Sequence, residues 1–146
     1  MPVVDASVVV DLIAPDVTAD SAVRALFARW AATAAGDAPD LFAPGLMWLQ
    51  VQNALLAGVR RGRWSGAAAD SAAALLQRIP IRQVDTDTDR SRAFDLARRY
   101  DNWPVCDMLY VAVAERAGDV FVTGDQKLRA RLAHLDWVKL PAEVTG

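Results

Sequence analysis

Apolar and polar positions alternate along this chain in a way that predicts short buried strands separated by helices. Apolar side chains recur three and four residues apart, the spacing of one helix face, in two clear sets: Val23, Leu26, Phe27 and Trp30, and Ala93, Leu96, Ala97 and Tyr100. The pattern predicts further helices over 44–60 and 65–78, and one that begins near Asp125. A helix over 104–117 is apolar on almost every side, which is typical of a buried element.

Five short apolar segments are predicted to be strands, at 2–5, 41–43, 81–84, 120–123 and 137–140. Because these segments alternate with helices, we expect an α/β fold with a parallel sheet covered by helices on both faces. The segment at 81–84 has the weakest strand pattern. Gly36 and Pro39 predict a turn before the second strand. The length of 146 residues suits a single domain over 1–146.

Composition excludes several classes of protein. The net charge of −2 gives no overall attraction to nucleic acid, so such contact needs a local patch or a metal ion. A single cysteine, Cys106, excludes an intramolecular disulfide and a cysteine-rich zinc site, and a single histidine, His134, argues against a histidine-ligated metal. The sequence shows no signal peptide and no apolar stretch of the roughly 20 residues that span a membrane. We therefore expect a cytoplasmic protein.

Three aspartates are the candidates for chemistry. Asp5 ends the first predicted strand, Asp125 follows the strand at 120–123, and Asp107 lies in the first turn of the apolar helix. The carboxyl ends of parallel strands form one edge of a sheet, where ligands commonly bind. Carboxylates that share a pocket repel one another unless a cation neutralises them, and oxygen ligands suit Mg²⁺ or Mn²⁺. The pattern therefore favours a cation site at this edge.

Each of these residues also has a purely structural interpretation. Asp125 is placed to cap the helix that follows it, Asp107 to complement the dipole of its helix, and Asp5 to cap a turn. Ser7 and Thr123 each lie two residues from a carboxylate. Their hydroxyls either orient those carboxylates or a metal-bound water, or make ordinary turn hydrogen bonds.

Four successive segments resemble the motifs of PIN domains, and more specifically those of VapC toxins from bacterial toxin–antitoxin pairs. They are VVDASVVVDL at the start of the chain, APGLMWLQVQNAL at 43–55, VCDMLYVAVAERAG at 105–118 and VFVTGDQKL at 120–128. The resemblance implies a three-layer α/β/α fold with a mainly parallel five-stranded sheet. It also implies a Mg²⁺-dependent endoribonuclease, with Mn²⁺ as a substitute ion, that a cognate VapB-type antitoxin inhibits. By motif, Asp5 and Asp107 match the main metal-binding aspartates and Asp125 matches the remaining acidic position.

The chain departs from the family pattern at Gln50, where the motif normally carries a glutamate. Glutamine fills the same volume but is neutral; its amide oxygen can accept a hydrogen bond or weakly ligate a metal, but it cannot neutralise Mg²⁺ or act as a base. Three explanations compete: an engineered, inactivated toxin, a natural enzyme with attenuated activity, or a PIN-like binding module without catalysis.

Basic and aromatic residues suggest partners. Arg60, Arg61 and Arg63 form a cluster that is either a solvated helix end or a phosphate-binding rim for RNA, tRNA being one possible substrate. Helices that carry Trp30, Trp48 and Trp64 would pack in the core or offer an apolar surface, and we expect a homodimer. His134 is better placed as a surface or capping residue than as a base.

We therefore expect metal-assisted hydrolysis of phosphodiester bonds, with no side-chain nucleophile. Two enzyme classes fit less well. A haloacid-dehalogenase-like phosphatase needs a second aspartate two residues after the first, where this chain has Ser7. A receiver-type phosphoacceptor domain needs an acidic pair near the first strand. No glycine-rich nucleotide-binding motif is present. The alternative that is not an enzyme is a catalytically silent protein-binding module.

Overall fold

The computed structural model describes residues 2–18, 21–33 and 41–144, apart from the side chain of Thr33. All five predicted strands are present, each within one residue of its expected ends: β1 (Val3–Val4), β2 (Leu41–Ala43), β3 (Ile81–Gln83), β4 (Phe121–Val122) and β5 (Val138–Lys139). They form one sheet in the order β3-β2-β1-β4-β5, and every neighbouring pair is parallel. The predicted parallel α/β fold is confirmed. The predicted turn at Gly36 and Pro39 lies outside the described residues.

The helices that connect these strands follow the predicted pattern closely. They are α1 (Ala6–Ile13), α2 (Ala22–Thr33), α3 (Leu46–Arg60), α4 (Gly66–Leu76), α5 (Asp87–Arg99), α6 (Val105–Ala117) and α7 (Gln126–Arg131), followed by a 3₁₀ turn at Pro141–Glu143. Local signals set several ends. Ser65 caps α4 by accepting the N–H of Ala68, and α6 ends at Gly118, whose φ of 68° is left-handed. In the described ranges, every helix is too short or too polar to span a membrane.

The register of the central strands brings two chain segments together at one sheet edge. Val3 pairs with Phe121 and Val4 with Val122, and the backbone N–H of Asp5 donates to the carbonyl of Val122 at 2.9 Å. The segments that follow β1 and β4 therefore leave the sheet side by side. Both strands are fully buried, so this edge is held by the core of the domain.

Helix α6 is the buried helix that its sequence predicts. Every residue from Met108 to Ala114 is buried, and the ring of Tyr110 stacks on Phe121 of the sheet with centroids 5.8 Å apart. The helix therefore has a fixed position over the sheet. Its first turn, which carries Asp107, lies at the same edge as the end of β1.

The tryptophans named from the sequence contribute to the core rather than to a continuous exposed face. Trp64 is buried and its indole N–H donates to the carbonyl of Leu55 at 2.9 Å, while Trp30 and Trp48 are half-buried against core residues. Among the described residues, the large apolar side chains that remain exposed are Leu49, Leu56, Leu75, Phe94 and Val105. These residues are more exposed than the three indoles.

Candidate active site

Five of the residues named from the sequence, Ser7 among them, surround one cavity. Asp5, Gln50, Asp107 and Asp125 line it together with Asp11, and the remaining walls are Ala6, Ser7, Val10 and Ala54. The cavity has a volume of about 380 Å³. Asp5 lies between β1 and α1, Gln50 in α3, Asp107 in the first turn of α6, and Asp125 between β4 and α7. The aspartate charges are thus concentrated in one place, and no lysine or arginine is among these lining residues.

Asp5 is buried but has only neutral hydrogen-bond donors. Its side chain is 8% exposed, and its Oδ2 accepts from the hydroxyl of Thr123 at 2.7 Å and of Ser7 at 3.0 Å. Burial raises the pKa of the Asp5 carboxyl, and the hydrogen bonds from Thr123 and Ser7 offset part of that effect. The carboxylate is therefore oriented by the protein without being neutralised by it.

The two hydroxyls are themselves held by backbone donors. The N–H of Gly124 donates to Ser7 Oγ at 2.9 Å, and the N–H of Asp125 donates to Thr123 Oγ1 at 3.0 Å. Each hydroxyl has therefore accepted a hydrogen bond and keeps its own proton for Asp5. This arrangement makes the orientation of Asp5 a property of the β4–α7 connection, which lies far away in sequence.

Asp107 is the second partly buried carboxylate of the cavity. Burial raises the pKa of the Asp107 carboxyl, and the negative charges of Asp5 and Asp125 raise it further. The indole N–H of Trp103, which donates to Oδ2 at 2.8 Å, lowers this pKa in part. These effects indicate that Asp107 lies close enough to Asp5 and Asp125 to be repelled by both. Their shared cavity is thus unfavourable for negative charge.

Asp125 has the capping role that its position in the sequence allows. Its Oδ1 accepts the backbone N–H groups of Lys127 at 3.0 Å and Leu128 at 3.1 Å, at the start of α7. Since Asp125 also lines the cavity, the structural and the chemical interpretations are compatible. Its Oδ2 is the oxygen left for a ligand.

Three residues at the site escaped the sequence analysis. One is Asp11, a fourth carboxylate of the cavity lining, and the other two make hydrogen bonds at the site. The hydroxyl of Tyr110 donates to Oε1 of Gln50 at 2.7 Å, and Trp103 donates to Asp107. Tyr110 could have been found from spacing, because it follows Asp107 by three residues on the same face of α6. Trp103 lies before the helix begins, so helical spacing does not identify it. Burial, followed by the charge of Asp5, raises the pKa of the Tyr110 hydroxyl well above its ordinary value.

Comparison with known proteins identifies the family of this chain. The model of the PIN domain matches residues 3–133, which is most of the chain. The chain belongs to the PIN domain family. Ribonuclease VapC3 of Mycobacterium tuberculosis, in the strains CDC 1551 / Oshkosh and ATCC 25618 / H37Rv, is 35% identical over 126 residues. The matched region covers 86% of this chain and 83% of the relative. The similarity to VapC-type PIN domains predicted from the motifs is confirmed, as is the three-layer arrangement with five parallel strands.

The donor atoms of this PIN domain suit a hard divalent cation held by few side chains. Among the described residues, no group of three or more His, Cys, Asp or Glu side chains is arranged to hold a metal ion directly. Mg²⁺ is usually bound through one or two carboxylates and keeps several waters. Asp5 and Asp107, which line the same cavity, fit that pattern better than a closed cage of three carboxylates.

The predicted arginine cluster lies at the end of α3 and is exposed. Arg60 is the last residue of the helix and Arg61 follows it. Arg63 makes an ion pair with Asp16 at 2.8 Å and stacks over the ring of Trp64 at 4.7 Å from its centroid. Arg63 is therefore partly neutralised, whereas the first two complement the helix dipole. None of the three lines the cavity that holds Asp5.

His134 lies outside the candidate site, in agreement with its interpretation as a surface residue. It is exposed, and its Nε2 lies 2.8 Å from the hydroxyl of Tyr100. It is not among the residues that line the cavity with Asp5, so no histidine is available there as a general base.

Proposed function

We propose that this PIN domain is a VapC-type endoribonuclease that hydrolyses phosphodiester bonds of RNA with the help of Mg²⁺, which Mn²⁺ can replace. The observation that carries the proposal is the uncompensated charge of the cavity, where Asp5 is buried beside Asp107 and Asp125 with no basic side chain in the lining. A bound divalent cation would remove this repulsion. The names of the relatives, both ribonucleases, favour RNA as the substrate.

Each side chain then has a separate task. Asp5 and Asp107 would hold the cation, with Asp125 contributing through water because one of its oxygens caps α7. Ser7 and Thr123 keep the Asp5 carboxylate in one orientation. When bound, the cation would act as a Lewis acid that activates an attacking water and stabilises negative charge on the phosphate. Gln50 occupies the usual glutamate position without supplying its charge.

Substrate would approach over the exposed basic residues at the end of α3. We propose that Arg60 and Arg61 contact RNA phosphates, because both are exposed, and that Arg63 contributes less because Asp16 already pairs with it. The net charge of the chain is negative, so such contacts must be local. A pool of total tRNA is a suitable first substrate.

We also propose two protein partners. A basic segment of a cognate VapB-type antitoxin would enter the acidic cavity and block it, since opposite charges complement each other there. A second copy of the chain, in a homodimer of single-domain protomers, would cover exposed apolar side chains such as Leu49, Phe94 and Val105. Light scattering that shows only monomers at high concentration would contradict the dimer.

A cleavage assay with matched variants tests the enzymatic proposal. The chain as given, Gln50→Glu, and Gln50→Glu combined with Asp107→Asn are incubated with total tRNA and Mn²⁺. We expect cleavage to rise in Gln50→Glu, because a carboxylate strengthens an oxygen-ligand site, and to disappear when Asp107→Asn is added. Mn²⁺ at millimolar concentration should also raise the melting temperature, by mass action, and Asp5→Asn should abolish that shift.

The neutral residue at position 50 is the one observation that favours the second candidate, a catalytically silent protein-binding module. In that case Gln50→Glu would neither cleave RNA nor bind Mn²⁺ more tightly than the chain as given. Binding of the antitoxin would persist in all these variants, since it would not depend on the cation. The same assay therefore separates the two functions.

A further inference from the structure

The hydroxyl of Tyr110 determines which end of the Gln50 amide can face the cavity. Tyr110 is 1% exposed, so its hydroxyl must find its partners inside the protein. The hydroxyl donates its proton to Oε1 of Gln50 at 2.7 Å. Because a carbonyl oxygen accepts and an amide nitrogen only donates, this hydrogen bond sets the orientation of the amide.

The charges around the cavity favour the same orientation. Asp5 and Asp107 line the same cavity as Gln50, so their negative charges act on its amide. With Oε1 bound to Tyr110, the NH₂ group of Gln50 points toward these carboxylates. The reverse orientation would turn the partly negative oxygen toward them and give up the hydrogen bond from the Tyr110 hydroxyl to Oε1.

The NH₂ group of Gln50 is open to the cavity. Gln50 lines the cavity, and within the described part of the chain its hydrogen bond is the one to Tyr110 through Oε1. In the same part of the chain, no buried side-chain nitrogen or oxygen lacks a partner, so Nε2 must reach solvent in the cavity. Position 50 thus offers two N–H donors where the family motif offers a carboxylate.

We propose that Tyr110 is a positioning residue that holds Gln50 as a hydrogen-bond donor to the cavity and withdraws its amide oxygen from the cation. This inference rests on the proposed function for the presence of the cation, but the orientation of the amide does not depend on it. A glutamine without this partner could turn its oxygen to a metal ion. The two N–H donors suit an anionic ligand such as a phosphate oxygen.

The orientation can be measured without metal by NMR of the Gln50 side-chain amide at neutral pH. We expect both Nε2 protons to exchange with water at the rate of an exposed amide in the chain as given, and the amide resonances to shift in Tyr110→Phe. Tyr100→Phe, which removes a distant hydroxyl bound to His134, should leave them unchanged. A protected Nε2 proton that loses its protection in Tyr110→Phe would show that the amide donates to Tyr110, and would overturn the proposal.

Mn²⁺ titration tests the consequence for the cation. Gln50→Met should leave the Mn²⁺ dissociation constant within about twofold, because the amide oxygen is not a ligand. Tyr110→Phe should tighten Mn²⁺ binding several-fold by releasing that oxygen, and Tyr110→Phe combined with Gln50→Met should lose this gain. Weaker binding in Gln50→Met alone, or no gain in Tyr110→Phe, would overturn the proposal. If neither the chain as given nor Gln50→Glu binds Mn²⁺, the proposed function fails, whereas the metal-free NMR measurement still decides the role of Tyr110.

Discussion

Two buried carboxylates in this domain have opposite surroundings. Asp89, in α5, is 2% exposed and accepts from both Nε and Nη2 of Arg116 at 2.8 Å, and the hydrogen bond from Arg116 is the main reason why its pKa is lowered. Asp5 is 8% exposed and accepts only from neutral hydroxyls and nearby amides, so burial raises its pKa. Both residues are buried aspartates, but only the carboxylate of Asp89 has a positively charged partner.

The presence or absence of a counter-charge distinguishes a carboxylate that stabilises the fold, Asp89, from one that is available to a ligand, Asp5. Asp89 completes a capping box with Thr86 and, through Arg116, connects α5 to α6 and to the carbonyl of Val84. Its charge is neutralised within the chain, so it stabilises the fold. An ionised Asp5 has no counter-charge within the chain, so its charge costs stability and leaves the carboxylate available to an external cation.

The largest expected effect comes from breaking the compensated pair. Asp89→Asn should lower the free energy of unfolding by about 2–3 kcal/mol, because it removes the capping-box carboxylate and the partner of Arg116. Arg116 remains half-exposed, which limits the loss. Urea unfolding at pH 7 measures it. Asp87→Asn, on the same helix but 98% exposed, is the matched control, and a loss for Asp89→Asn as small as in this control would contradict the assignment.

A second effect tests how Asp5 is held. Thr123→Val should destabilise the domain by about 1–2 kcal/mol, because it removes a donor to Asp5 and leaves the N–H of Asp125 without its acceptor. Thr123→Ser keeps the hydroxyl and should recover most of this loss. If the serine variant is as unstable as the valine variant, the methyl group and not the hydrogen bonds accounts for the effect. Thermal and urea unfolding of both variants provide the comparison.

A smaller change of the opposite sign is expected at Asp5 itself. In the absence of divalent ions, Asp5→Asn should raise the free energy of unfolding by about 1 kcal/mol at pH 7, because a buried charge without a counter-charge is removed while an oxygen remains for Ser7 and Thr123. The measurement is urea unfolding in the presence of a chelator. A destabilised Asp5→Asn would mean that the carboxylate is compensated in the folded chain, as Asp89 is.

The smallest expected effect is the pH dependence of the changes in unfolding free energy that Asp5→Asn and Asp89→Asn cause. The pKa of Asp5 is raised above 3.8, so between 3.8 and its folded pKa the folded chain binds more protons than the unfolded one, and its stability rises as the pH falls. The advantage of Asp5→Asn should therefore shrink as the pH falls toward 3.8. The pKa of Asp89 is lowered, so its stabilisation is complete above 3.8 and is lost only as the pH falls through the folded pKa. When unfolding is measured from pH 7 to pH 4, the stability gain of Asp5→Asn should shrink, whereas the stability loss of Asp89→Asn should persist.

The sequence by itself determined the elements of the fold and the residue types of the site. Apolar periodicity predicted the strands and the buried helix α6 because burial of a strand or a helix face depends on local spacing. Placement at strand ends identified Asp5 and Asp125, since parallel strands end at one edge. Parallel strands are connected by crossovers that usually contain a helix. A strand as short as Val3–Val4 was therefore recognisable from the helix predicted after it.

Only the tertiary structure decided how the charges of the site are compensated. Thr123 reaches Asp5 across 118 positions, and Tyr110 reaches Gln50 across 60. These contacts depend on β4 lying beside β1 and on the position of Tyr110 in α6 relative to Gln50 in α3, and neither relation follows from local spacing. The aspartates of the site are therefore recognisable in the sequence, but only the folded protein shows that Asp5 has no counter-charge and that Tyr110 donates to Oε1 of Gln50.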